Sequence, residues 1–132
     1  MSFLLDTNIC SVHIRGKCDF THRLFQYSGR ISISSITLAE LYCWGSDEFV
    51  ATRLSEGIRA FAKEFNVHVF DEICAEKYAQ IWHRTRACGI TVPTMDLLIA
   101  ATALTHDCTL VTHNTADFSN IPDLRLADWL QP

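Results

Sequence analysis

The sequence predicts an α/β fold, a doubly wound parallel sheet of four to five short strands with helices on both faces. Four apolar runs, "SFLL" (2–5), "ISIS" (31–34), "VHVF" (67–70) and "TLVT" (109–112), have the length of buried strands, and "LRLA" (124–127) is a weaker fifth. Helical stretches separate them, and that alternation builds parallel sheets covered on both sides, with right-handed crossovers. A chain of 132 residues is expected to form one domain, residues 1–132. At this size about two thirds of the unfolded surface is buried, so no staples are needed.

The first strand runs directly into Asp6 in "FLLDTN". The carboxyl ends of the strands are the ligand edge of such a sheet, so Asp6 stands on it. It serves equally well as an N-cap for the helix that follows, a role open also to Thr7 and Asn8. After the second strand, "ISISSITLAELYCW" continues as a helix whose face at 36, 39, 40 and 43 reads Ile, Ala, Glu, Cys. Glu40 is thus an acid on an apolar face, which calls for a partner: a functional one or a structural ion pair.

The segment 48–65 puts Leu54, Ile58, Phe61 and Phe65 on one face, with Arg53, Glu56, Arg59 and Lys63 elsewhere; 72–88 does likewise with Cys74, Tyr78, Ile81 and Cys88. Both faces are expected to be core. "TMDLLIAATAL" (94–104) is apolar all round except at Asp96. A helix without a polar face belongs in the interior, so this acid starts near it. Its ordinary reading is a first-turn carboxylate favoured by the helix dipole by roughly 0.3–1 kcal/mol. The fourth strand leaves through "LVTHNTADF", which offers Thr112, Asn114 and Asp117, read either as a turn or as further site residues.

Three strand exits therefore deliver an acid each, and a buried helix opens with a fourth. Two carboxylates roughly 5 Å apart repel by about 3 kcal/mol at an effective dielectric of 20, so something positive is expected among them. Hard divalent cations prefer all-oxygen sites, and Mg²⁺ is held by a few carboxylates while it keeps several waters. The formal charge of −4, from 11 Lys plus Arg against 15 Asp plus Glu, counts against broad electrostatic capture of nucleic acid. Two divalent ions would cancel it.

Other chemistries lack their signatures. The six histidines have no H-x-x-x-H or H-E-x-x-H spacing, which argues against zinc; only His113 lies in a motif, and it is expected to point away from the acids. No G-x-S-x-G elbow or phosphate-binding glycine loop occurs. The six cysteines (Cys10, Cys18, Cys43, Cys74, Cys88 and Cys108) form no C-x-x-C pair and read as small buried hydrophobes in a reducing compartment. "MSFLLDTN" has no basic leader and the longest apolar stretch is far short of a membrane span, so the expectation is a cytoplasmic protein.

"LLDTN", "SSITLAEL", "MDLLIAATAL" and "LVTHNTADFSNIPDLRLADW", in this order and spacing, resemble the PIN-domain ribonucleases, specifically toxins of the VapC type. The resemblance covers essentially the whole chain. It implies a metal-dependent endoribonuclease in which Asp6, Glu40, Asp96 and Asp117 match the family's acidic quartet, and Thr112 and Asn114 its accompanying polar positions. It also implies Mg²⁺ or Mn²⁺, an RNA substrate, a cognate VapB-type antitoxin and a homodimer.

In such a nuclease the metal would acidify a water and align it with the scissile phosphate. Arg15, Lys17, Arg84 and Arg86 are candidates for RNA backbone contact or for solvated surface. Tyr42, Trp44 and Trp82 are candidates for the antitoxin surface, with core burial the better expectation. Two rival readings stay open. Phosphohydrolases with an aspartyl nucleophile also follow a strand with Asp, but normally carry a second acid two residues on, where this chain has Asn8. The other rival is a degenerate nuclease fold kept as an interaction module, whose mark would be an incomplete acid set.

Overall fold

The computed structural model describes residues 1–17, 19–44 and 48–131, with the side chains of 48–54 outside the description. Its elements are β1 (Ser2–Leu5), α1 (Thr7–Ile14), α2 (Thr21–Gln26), β2 (Ile31–Ser34), α3 (Ser35–Cys43), α4 (Glu48–Lys63), β3 (Asn66–His68), α5 (Glu72–Ala87), α6 (Thr94–Thr105), β4 (Cys108–Val111), α7 (Thr115–Phe118) and β5 (Leu126–Ala127). The five strands form one parallel sheet in the order β3-β2-β1-β4-β5. The expected doubly wound α/β architecture is the one observed.

Alternation along the strands sorts the core into two layers, because successive side chains of a strand leave opposite faces. Phe3, Leu5, Ile31, Ile33 and Val111 point to one side, where they meet Ile9 and Cys10 of α1, Leu41 of α3 and Ile58 and Phe61 of α4. Leu4, Cys108 and Leu110 point to the other and meet Ile81 of α5 and the apolar residues of α6. Each fully buried Leu or Ile among them is worth roughly 1.5–3 kcal/mol relative to exposure. Leu97, Ile99, Ala100, Ala101, Thr102 and Ala103 are all buried, as an all-round apolar helix requires.

Some expectations are corrected. β3 is not a buried strand over 67–70: it ends at His68, and Val67 and Val69 are exposed, because this strand lies at the sheet edge and lacks a neighbour on one side. The buried line of α3 is Thr37 and Leu41, not 36, 39, 40 and 43; Ala39 and Cys43 face solvent. On α5, Thr85 and not Cys88 completes the buried line with Cys74 and Ile81. Gly89, at φ +73, ends that helix in the left-handed conformation, which directs Cys88 outward.

Cys10, Cys74 and Cys108 are buried as expected, Cys43 and Cys88 are exposed, and Cys18 lies outside the described residues. On 48–65, Ile58 and Phe61 are buried and Phe65 partly so, while the side chains of Leu54 and Arg53 lie outside the described residues. Tyr42 is exposed, whereas Trp44 and Trp82 pack partly buried against the two core layers. No described helix is long and apolar enough to cross a membrane.

Candidate active site

The strand order reverses at β1. From it the chain winds outward through β2 and β3, then returns to place β4 and β5 on the other side. The connections leaving β1 and β4 therefore diverge and open a crevice at their carboxyl ends, where ligands bind in such sheets. Asp6 follows β1 and Thr112 follows β4, and the Thr112 hydroxyl lies close enough to the Asp6 carboxyl to favour its charged form. The Asp6 backbone N–H donates to the Val111 carbonyl at 3.0 Å and locks the two exits together.

Asp6 fills both roles left open by its sequence. It caps α1, its Oδ1 accepting from the Ile9 N–H at 2.9 Å. It is also only 4% exposed, and it lines an open cleft of about 80 Å³ with Thr7, Asn8, Glu40, Trp44, Asp96 and Ile99. Burial pushes its carboxyl above the usual range; the Thr112 hydroxyl and the Ile9 N–H oppose that shift, and the charges of Asp96 and Glu40 add to it.

Glu40 reaches the cleft because Ser34 stops β2 and starts α3, its Oγ accepting from the Thr37 N–H at 2.9 Å. The partner that a half-buried Glu needs is Thr7, whose Oγ1 donates to Oε1 at 2.7 Å. Thr7 stands 33 residues away and carries no local sign of this contact, so reading the sequence assigned it only a possible cap.

Asp96 occupies the first turn of α6, behind a Pro93 N-cap that has no side-chain cap bond. A pure dipole role would favour its charged form. Its carboxyl is instead pushed up, first by burial and then by the charges of Asp117 and Glu40. Asp117 itself is exposed on α7, at the rim and outside the cleft lining, and so is the Asn114 side chain; the Asn114 N–H donates to Thr112 Oγ1 at 3.0 Å. The structure thus brings Asp6, Glu40 and Asp96 into one cleft and sets Asp117 and Asn114 beside it.

His113 turns away to Asp128, with Nδ1 3.0 Å from Oδ2. The basic candidates have other neighbours. Arg15 lies over the Trp44 ring at 5.2 Å, Arg86 over Trp82 at 4.4 Å, and Arg84 pairs with Asp123 at 3.5 Å. Among the described residues lining the cleft none is basic, and apart from the Trp44 indole its polar side chains offer carboxylate, hydroxyl and amide groups, a hard-cation donor set. No three acidic, histidine or cysteine side chains among the described residues are grouped closely enough to hold one ion by themselves. A hydrated ion that needs one or two carboxylates fits such an arrangement.

Comparison with known proteins agrees with this geometry. The PIN domain family model matches residues 3–124. The chain is 32% identical over 132 residues to Ribonuclease VapC2 of Rickettsia felis, with 98% of each chain covered. It is 32% identical over 130 residues to the tRNA(fMet)-specific endonuclease VapC of Shigella flexneri, again with 98% of each covered. Among solved structures it superposes on a chain of the DNA-bound VapBC of Salmonella typhimurium with a TM-score of 0.93 at 31% identity, covering 98% of both. The Rickettsia felis VapBC2 bound to a DNA fragment from its promoter gives 0.91 at 31% identity, with 98% of this chain and 99% of that one covered. With the acids at the switch point of a doubly wound sheet and full-length similarity on both counts, this chain belongs to the PIN-domain family, among its VapC-type members.

Proposed function

We propose that this protein is a divalent-metal-dependent endoribonuclease, the toxin of a VapBC pair, and that it acts in the cytoplasm as a homodimer restrained by a VapB-type antitoxin. The observation that carries the reading is the convergence of Asp6, Glu40 and Asp96 in one cleft that no basic side chain lines among the described residues. The names of its full-length relatives support ribonuclease action, and the neighbouring VapBC complexes support an antitoxin partner.

Asp6 and Asp96 would hold the ion, Mg²⁺ or Mn²⁺, with Glu40 and Asp117 adding negative charge around it. When bound, such an ion neutralises the carboxylates, acidifies a water and offsets charge on the phosphate. The chain's own residues set the geometry. The Ile9 N–H holds the Asp6 carboxylate in one orientation, and Thr7 does the same for Glu40. Preorganised donors of this kind typically matter 10–100-fold in metal affinity or activity.

The test is RNA cleavage by the purified chain with Mg²⁺ or Mn²⁺ and with chelator. Cleavage is expected only with metal, and Asp6→Asn or Asp96→Asn should each lower it by at least about a hundredfold, beyond the usual loss for an outer-shell partner. Wild-type rates in both folded variants would overturn the assignment. A trapped phosphoenzyme at Asp6 would favour the aspartyl-nucleophile reading instead.

A further inference from the structure

A second polar groove, away from the acid cleft, has a composition unlike the rest of this acidic chain. It measures about 190 Å³ and is lined by Ser2, Gly29, Arg30, Ile31, Ser32, Asn66, His68, His106 and Cys108. No carboxylate is among these residues, in a protein whose formal charge is −4. The groove starts at the amino-terminal ends of β1 and β2, the rim opposite Asp6, and continues over Ser32 and Asn66, which pair across β2 and β3.

Its central feature is a pair of imidazoles. The rings of His68, at the end of β3, and His106, after α6, stack with centroids 3.8 Å apart and planes 13° apart. At that spacing two protonated rings would repel strongly unless an anion lay beside them. Burial and the neighbouring His106 both lower the His68 pKa. The other charged groups nearby are Arg30, whose guanidinium lies over the Tyr27 ring at 5.5 Å, Asp107, whose carboxylate is held by Arg125 at 2.9 Å, and the amino group of Met1, one residue before Ser2. Besides His68, β2 and β3 contribute only uncharged residues, Ile31, Ser32 and Asn66, and the buried Cys108 thiol is pushed up towards its neutral form.

From this arrangement we infer that the groove binds a tetrahedral oxyanion, a phosphate group, between Arg30, Asn66 and the His68–His106 pair. Arg30 supplies a permanent charge with forked donors, Asn66 and Ser2 neutral donors, and the imidazoles a charge that the anion itself stabilises. Anion and proton therefore bind together: the anion raises the pKa of the pair, and by linkage affinity increases as pH falls. The phosphate could come from an RNA backbone or from a free ion. The inference does not depend on which residues cleave RNA.

The test is histidine Cε1–H NMR titration of the whole chain in sodium sulfate and in sodium chloride of matched ionic strength. Sulfate is the probe because it stays a dianion throughout the range. An upward shift of about half a pH unit or more, roughly threefold in anion affinity between the two protonation states, is expected for the His68–His106 pair. The exposed His22 and His83 should not move. Arg30→Gln should remove the shift, and Asn66→Ala should weaken it if the first variant folds poorly.

Repeating the titration with a ribo-oligonucleotide and the Asp6→Asn chain separates the sources. Movement at micromolar RNA assigns the site to backbone phosphate, and movement with sulfate alone assigns it to a free oxyanion. No shift, an equal shift at all six histidines, or a response to Zn²⁺ but not to sulfate would overturn the inference.

Discussion

At Asp96 two effects of opposite sign meet. The dipole of α6 favours its charge, whereas burial and the carboxylates of Asp117 and Glu40 disfavour it, and the second set prevails because the carboxyl is pushed up. A raised folded-state pKa means that the folded chain holds this proton more tightly than the unfolded chain does. The stability associated with that proton is present at low pH and is lost as pH rises from the ordinary carboxylate range through the raised value. In chelator at pH 7, Asp96→Asn should therefore stabilise the chain by about 1 kcal/mol, a modest figure because a half-exposed group is screened by solvent. That is about 2–5 °C in melting temperature. The gain should vanish near pH 3, and Mg²⁺ should stabilise wild type more than the variant. A less stable variant with an unchanged Mg²⁺ response would make Asp96 a simple first-turn acid. Thr7→Val is expected to release Glu40 and lower cleavage about tenfold, within the usual range for a supporting hydrogen bond, with little change in melting.

Helix starts aim the site at the scale of elements. Ser34 and Asp6 cap α3 and α1 at the point where each leaves its strand, so one side chain both ends a strand and sets the direction of a helix. Ser34→Ala should cost about 1 kcal/mol of stability by freeing a helix N–H, and it should also lower activity because α3 carries Glu40. Chemical denaturation and single-turnover cleavage on the same sample would separate the two effects. Unchanged activity would show that Glu40 does not need a fixed α3. On the other side of the sheet, the His113–Asp128 contact ties the β4 exit to the segment after β5, beside the Thr112 N–H bond to Ala127. The turn that carries Asn114 is thereby anchored on both edges.

At the scale of the whole molecule, three carboxylates at one crevice make a target for a cation from any source. A partner that silences the site should insert a flexible segment with an Arg or Lys among Asp6, Glu40 and Asp96. Crosslinking from such a segment should map to residues lining the cleft, and a map confined to the opposite rim would overturn this model. The net charge of −4 also predicts that RNA binding depends on few direct phosphate contacts, so its affinity should fall only gently with salt in the presence of saturating Mg²⁺. A steep log–log slope would show a basic surface that the composition does not suggest.

Sequence alone determined the parallel sheet and its two helical layers, and it pointed to Asp6, Glu40 and Asp96 as acids near the strand exits, because strand length, helical period and strand exits are local properties. It also determined that α6 is buried, since an all-round apolar helix has no solvated alternative. What only the tertiary structure decided is which groups meet. Strand order brought the ends of β1 and β4 together, so the Asp6 N–H bonds the Val111 carbonyl and Thr112 faces Asp6; the same packing brought Thr7 to Glu40, placed Asp117 at the rim, and stacked His68 on His106. Edge position made β3 short and exposed in spite of its apolar run, and a left-handed glycine turned Cys88 to solvent. Such contacts join residues tens of positions apart, and no local pattern encodes them, because their free energy arises only once the chain has closed those distances.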